Sequence, residues 1–249
     1  MNEDDWLVPS DPIAMLEYIR HKITERKIRL FACACCRRIW DLLDAEFRRA
    51  VEVAECFADG LASREELLQA RDAARQIYRT LDSSKQSAAS AAISAASIVG
   101  PKPSFWDRLL DVIDVAPDVW RGPFELGDPL APALEAAKSA ARARCNIYDL
   151  LVKVDDMGHP TCLEYRVETH FQAELLRHIV GNPFRRYTRP QCLDSRIRRL
   201  ASNIYYGWGN SISLHDALRD IGCIEFAIHF LQPDHPKGCW ALDLILGNE

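Results

Sequence analysis

Apolar residues recur at intervals of three and four along most of the chain, while alternating β-branched runs between turn dipeptides are scarce. This pattern predicts an all-α protein. Asp11-Pro12 is an N-cap followed by proline at the first helical position, and Ile13, Leu16, Ile19 and Ile23 continue at helical spacing. Thr24 caps a second, longer helix, in which Ile28, Phe31, Cys35, Ile39 and Leu42 form a stripe to be buried. Arg26, Arg29, Arg37 and Arg38 fall mostly outside that stripe. Asp44 opens a third helix through Val51 and Ala54 that stops at Gly60, a residue suited to a left-handed cap. Ser63 and Glu66 make a capping box for a helix from Leu67 to about Leu81.

The stretch Ser83 to Gly100 is built from Ala and Ser. Such small side chains permit close helix packing or else a poorly ordered connection, and the expectation is a peripheral segment. A short helix is expected around Phe105 to Val115, and then a Pro- and Gly-punctuated loop from Pro117 to Pro132. The region 100–132 is the candidate internal boundary of an otherwise single helical unit, 1–249. Further helices are predicted at Ala133–Val154, Cys162–Val180 closed by Gly181, Ser195–Tyr205, Leu214–Ile221, Ile224–Leu231 and Trp240–Leu246. The fold class expected is an irregular multi-helix bundle of about ten helices with its N- and C-terminal segments packed together.

Composition changes this picture little. The 249 residues are 48% hydrophobic and 27% charged, which excludes disordered and collagen-like classes. A net charge of −5 argues against a surface that binds polyanions everywhere and leaves local basic patches to consider. The start MNEDDWLVPSD is acidic and has no positively charged, apolar leader pattern, and no apolar run is long enough to span a bilayer. A cytoplasmic protein is expected, in which most of the nine cysteines are reduced core residues.

Several stretches carry a resemblance. They are Trp6-Leu7 with Ser10-Asp11-Pro12 and Met15-Leu16, the run from Arg26 to Trp40 (RKIRLFACACCRRIW), Ala50-Val51-Glu52-Val53-Ala54-Glu55 with Ala58-Asp59-Gly60, Leu175-Leu176-Arg177, Gly181-Asn182-Pro183-Phe184-Arg185, and Gly238-Cys239-Trp240 with Asp243-Leu244 and Leu246-Gly247. Together they resemble a family of uncharacterised bacterial proteins of planctomycete type. The resemblance covers both ends of the chain and leaves out about Ser83 to Pro160; it implies an intact fold unit and no particular activity.

Four groups of residues have the chemistry to form a site. Cys33, Cys35 and Cys36 are the densest thiol cluster, and Cys33 and Cys36 share a helix face, yet core packing is preferred over metal ligation. Cys223, His229, His235 and Cys239 form C-x5-H-x5-H-x3-C, a tetrahedral zinc inventory with nonstandard spacing, for which a metal-free helical cap is preferred. A mixed set of Cys33, Cys36, His235 and Cys239 is a weaker variant. His170, Glu174 and His178 stack along one helix face, where a solvated or partner-facing stripe is the preferred reading.

The fourth group lies between Gly181 and Trp208. Arg185, Arg186, Arg189, Arg196, Arg198 and Arg199 face only Asp194, interleaved with Phe184, Tyr187, Tyr205, Tyr206 and Trp208. Guanidinium forks and aromatic faces suit phosphate contacts and base stacking, although pairing with acidic helices of the same chain is the preferred fate of the arginines. Nucleophile elbows, HExxH pairs, Walker loops and dinucleotide fingerprints are all missing from the sequence. The expected function is therefore a non-catalytic interaction or regulatory module that binds a protein partner or a polyanion such as nucleic acid, and no membrane, through Arg185, Arg186, Tyr187, Arg189, Arg196, Arg198 and Arg199. No cofactor and no metal ligand is assigned. The competing class is an enzyme with a Cys/His site assembled from distant segments.

Overall fold

The computed structural model describes residues 1–8, 11–97, 130–144, 162–191 and 193–248. Among them are twelve α-helices and no strand: α1 Glu3–Leu7, α2 Pro12–Ile19, α3 Glu25–Arg38, α4 Ala45–Ala58, α5 Arg64–Tyr78, α6 Ser83–Ala95, α7 Ala131–Ala143, α8 Leu163–Val180, α9 Ser195–Tyr205, α10 Ser211–Asp220, α11 Ile224–His229 and α12 Trp240–Leu246. The protein is an all-α multi-helix bundle. The helix expected at 105–115 and nearly all of the 100–132 boundary region lie outside the described residues, as does the continuation of α7 beyond Arg144.

Local chemistry sets most helix starts. Asp11 and Thr24 accept backbone N–H bonds from Ile13 and Lys27, and Ser63 and Glu66 form the reciprocal capping box. Helix α1, which the periodicity did not announce, is started by a second box between Asn2 and Asp5. It carries Trp6 into the core, where the indole N–H donates to the Gly181 carbonyl at 3.1 Å.

Among the described residues the helices enclose two main apolar cores and a small third cluster of Ala141, Cys162 and Tyr165. The larger runs from Trp6 through α2–α7 to Leu176 and Ile179 of α8; the smaller is built from α9–α12 with Phe226, Phe230, Trp240 and Ile245 at its centre. Helix α3 is the axis of the larger bundle and packs against α4, α6, α7 and α8. Its Ile28, Phe31, Cys35 and Ile39 are buried as the stripe predicts, whereas Leu42 is exposed.

One expectation needs correction. The Ala/Ser segment is central, not peripheral: Ala88, Ala89, Ala91, Ala92, Ala95 and Ala96 are all buried, and α6 packs along α7. The facing surface of α7 offers Ala133, Ala136, Ala137 and Ala140, so small side chains on both helices let the backbones approach closely and bury them without large residues. The α3 basic residues, outside the apolar stripe in sequence, reach buried or carbonyl partners. Arg37 donates to Glu55 through two bonds of 2.8 and 2.9 Å, Arg38 donates to Glu168 at 2.8 Å, and Arg29 donates to the Ala95 and Ser97 carbonyls.

The two cores are joined by a polar network. Arg26 of α3 donates to Asp243 of α12 at 2.7 and 3.1 Å, to Asp59 at 2.9 Å and to the Tyr205 hydroxyl of α9 at 2.7 Å. Asp243 is fully buried, and Lys27 approaches it at 3.7 Å while donating to the Ile179 carbonyl. Burial opposes the Arg26 charge, yet the bonds to Asp243 more than offset it and raise the guanidinium pKa. Gly238, at φ +82, lets the turn before α12 sit against Leu30, where an added Cβ would lie 2.8 Å from Cδ1. Asn182 donates to Glu3, and Phe184 stacks on Tyr18 at 5.3 Å. The contacts of Trp6 with Gly181, and of Arg26 with Asp59 and Asp243, thus each join two of the stretches that carry the sequence resemblance.

Candidate functional site

Four potential metal ligands come together where the C-terminus of α8 meets the α11–α12 turn. His178, His229, His235 and Cys239 each place one donor atom within 4.8 Å of all the others. His178 rides the last turn of α8, which Ile179 anchors in the larger core; the other three belong to the smaller lobe. His229 closes α11, His235 lies in the Pro- and Gly-containing turn, and Cys239 is the N-cap of α12.

The polar geometry inside the cluster is specific. His229 Nε2 lies 3.1 Å from Cys239 Sγ, and His235 Nδ1 lies 3.7 Å from the same sulfur. His235 Nε2 is 2.9 Å from the Gln232 carbonyl, which only accepts, so Nε2 donates and Nδ1 keeps its lone pair. The His178 Nδ1 is buried without a hydrogen-bond partner, the one such side-chain nitrogen or oxygen among the described residues. The three rings are 5.0 to 5.8 Å apart between centroids.

Burial, with the neighbouring imidazoles His235 and His178, pushes His229 down to about 3. Burial and His178 push His235 down to about 4, and burial also lowers His178. All three rings are therefore neutral at pH 7. Burial pushes the Cys239 thiol up to about 12 in the absence of a cation.

The sequence inventory is met in three of its four members. Cys223 stays outside the group for a geometric reason: it caps α11 at the end opposite His229, and six residues at 1.5 Å rise hold the two about 9 Å apart along the axis. His178 takes the fourth place from 51 residues upstream of His229, a separation that a search by local spacing does not cover. The His170–Glu174–His178 column divides: His170 is exposed, Glu174 accepts from Arg177 at 2.8 Å, and His178 turns inward. Cys33, Cys35 and Cys36 are buried core thiols whose pKa burial raises, and they join no such cluster among the described residues.

The arginine group also divides. Arg185 pairs with Glu3 at 3.0 Å, and Arg189 donates to the Ile245 carbonyl at 3.0 Å. Tyr187 is half-buried against Trp240, with ring centroids 3.9 Å apart. The side chains of Arg186, Arg196, Arg198 and Arg199 are exposed and make no ion pair or hydrogen bond among the described residues, so the pairing preferred from sequence is not found there for these four. On α9, buried Ile197, Ala201 and Ile204 define the inner face. Arg199 and Tyr206, seven residues apart, lie together on the outer face with Arg196 and Arg198 to either side. Trp208, just beyond, is 85% exposed.

A cleft bordered by Glu25, Ile28, Arg29, Ala95, Ser97 and Ala133 contains neither a cysteine nor a histidine. Among the described residues no helix is long and apolar enough to cross a membrane. Comparisons with protein-family models, curated proteins and solved structures each returned no match. The reading of the site rests on its geometry.

Proposed function

We propose that the chain is a non-catalytic interaction module that binds an acidic protein partner through the outer face of α9 and the segment that follows it. The observation that carries this reading is the set of four exposed arginines whose side chains are unpaired among the described residues, in a protein whose overall charge is −5, followed by an 85% exposed tryptophan. Unpaired guanidinium groups steer and orient an acidic surface, and Trp, Tyr and Arg are the side chains that most often dominate binding energy at protein interfaces. A protein partner is favoured over nucleic acid because the same lobe also exposes Ile212, Ile224, Ile228 and Leu231, which phosphates and sugars do not cover.

The reading includes a cytoplasmic location, supported by the free thiols of Cys33, Cys35, Cys36 and Cys239. It also includes membership of the planctomycete-type family, supported by the contacts of Trp6 with Gly181 and of Arg26 with Asp59 and Asp243, each between two of its stretches. An enzyme built on distant Cys and His residues is the second reading, and the approach of His178 to His229, His235 and Cys239 favours it. Four protein donors fill a tetrahedral shell, however, whereas catalytic metal sites keep a position open for water or substrate.

The experiment is site-specific photocrosslinking in living cells, with a photoreactive phenylalanine analogue replacing Trp208 or, as a control, the exposed Leu61. The proposal expects protein adducts of acidic composition from position 208 only, lost in the R196A/R198A/R199A background. Adducts that are indifferent to the arginines, or nucleic-acid adducts alone, overturn it.

A further inference from the structure

We propose that His178, His229, His235 and Cys239 form a structural zinc site that clamps the α9–α12 lobe onto the end of α8. This inference is independent of the partner-binding reading. It concerns how the lobe is held, and it remains if the arginine face has some other use.

Donor chemistry points to zinc. Three imidazoles and one thiolate are a borderline-soft set, with no carboxylate to favour calcium or magnesium. Zinc–nitrogen bonds near 2.05 Å and zinc–sulfur bonds near 2.3 Å, set tetrahedrally, place nitrogens about 3.3 Å apart and nitrogen about 3.6 Å from sulfur. The two nitrogen–sulfur separations, 3.1 and 3.7 Å, bracket that value. The full set lies within 4.8 Å, so ligation draws the four donor atoms together by about 1.5 Å at most.

Two further observations separate this cluster from a chance meeting of polar residues. The His235 ring is held by the bond from Nε2 to the Gln232 carbonyl, the outer contact that commonly fixes the tautomer and orientation of a metal-binding histidine. The His178 Nδ1 is buried with no partner, in a protein whose other described buried side-chain nitrogens and oxygens are satisfied. A histidine in a half-buried cluster without a hydrogen bond on that atom is explained by a ring positioned for another interaction.

The topology gives the metal its role. His178 belongs to a helix fixed in the larger core, and Cys239 is buried in the smaller one, so the four ligands span the junction. The turn from Gln232 to Cys239 has no helix of its own, and ligation at His229, His235 and Cys239 closes it. On binding, the Cys239 thiol loses its proton to solvent and its sulfur bonds to zinc; no electron is transferred.

The test uses the full chain, expressed with zinc and purified under reducing conditions. Metal analysis is expected to give about one zinc per chain. After removal of zinc by a chelator, titration with cobalt(II) is expected to give a tetrahedral spectrum whose charge-transfer intensity corresponds to one thiolate. Replacing a ligand, as in His178→Gln, is expected to weaken cobalt binding by at least about 100-fold, more than loss of an outer hydrogen-bonding partner does. Cys223→Ser is expected to leave stoichiometry, affinity and spectrum unchanged. The wild-type spectrum stands even if a ligand variant fails to fold. Absence of cobalt and zinc binding at micromolar metal, a two-thiolate spectrum, or loss of binding in Cys223→Ser overturns the proposal.

Discussion

Replacing Arg26 with methionine tests the junction between the two cores. The substitution keeps most of the aliphatic stem and removes the guanidinium that bonds Asp243, Asp59 and Tyr205. Asp59 keeps the Tyr205 hydroxyl at 2.7 Å, but Asp243, fully buried, is left with Lys27 at 3.7 Å as its nearest cation. Breaking a buried ion pair from one side costs about 3–5 kcal/mol because the remaining charge is uncompensated, and the surviving lysine places R26M at about 3 kcal/mol. With a urea slope near 3 kcal/mol per molar, the unfolding midpoint falls by about 1 M. Urea titration followed by tryptophan fluorescence measures this, with Trp240 reporting on the C-terminal lobe. The double variant R26M/D243L is expected to recover part of the loss, since it removes the stranded carboxylate as well. A midpoint shift in R26M below about 0.3 M would refute the assignment of this network as the junction's main polar contact.

Other consequences follow from single sites. With zinc at 1,000 times its Kd, binding adds about 4 kcal/mol, so chelation is expected to lower the melting temperature by about 8–16 °C; an identical melt with and without chelator contradicts it. Gly181 sits at φ +76 and ψ −156, where an added Cβ lies 3.0 Å from Tyr187 and 3.1 Å from Trp240. Gly181→Ala is therefore expected to cost about 3 kcal/mol and Gly60→Ala, at φ +72 in open space, about 1 kcal/mol, both read by urea titration. Burial raises the Glu135 carboxyl pKa against the Ser139 hydrogen bond and nearby cations, so its contribution is fully present below the unfolded pKa and is lost as pH rises through the folded one. Glu135→Gln is expected to match wild type near pH 4 and to exceed its stability near pH 7; urea midpoints across that range decide it.

Much of the helical framework is legible in the chain because caps and 3.6-residue periodicity are local. Asp11, Thr24 and Ser63 start helices where their side chains predict, and Asn2 with Asp5 is a legible signal for α1 that the apolar pattern alone passes over. What escapes a local reading is what depends on a partner element. The alanines of α6 read as weakly apolar until the matching alanines of α7 are laid against them. Glu55, Glu168 and Asp243 occupy buried positions because arginines of α3 reach them, and nothing near them in sequence announces that burial. His229, His235 and Cys239 stand together in the sequence inventory, where a metal-free cap is preferred; the spacing offers Cys223 as the fourth member, and the fold brings His178 to that place instead.

The binding we propose sets the exposed arginines of α9 against an acidic partner. Calorimetric titration of the crosslinked partner, once purified, against wild type and R196A/R198A/R199A at low and high salt tests it most directly. The predicted result is an affinity for wild type that falls at least tenfold between the two salt conditions, and a triple variant that binds weakly with little salt dependence while keeping the wild-type melting temperature. Equal affinity and equal salt dependence in the two proteins would contradict it.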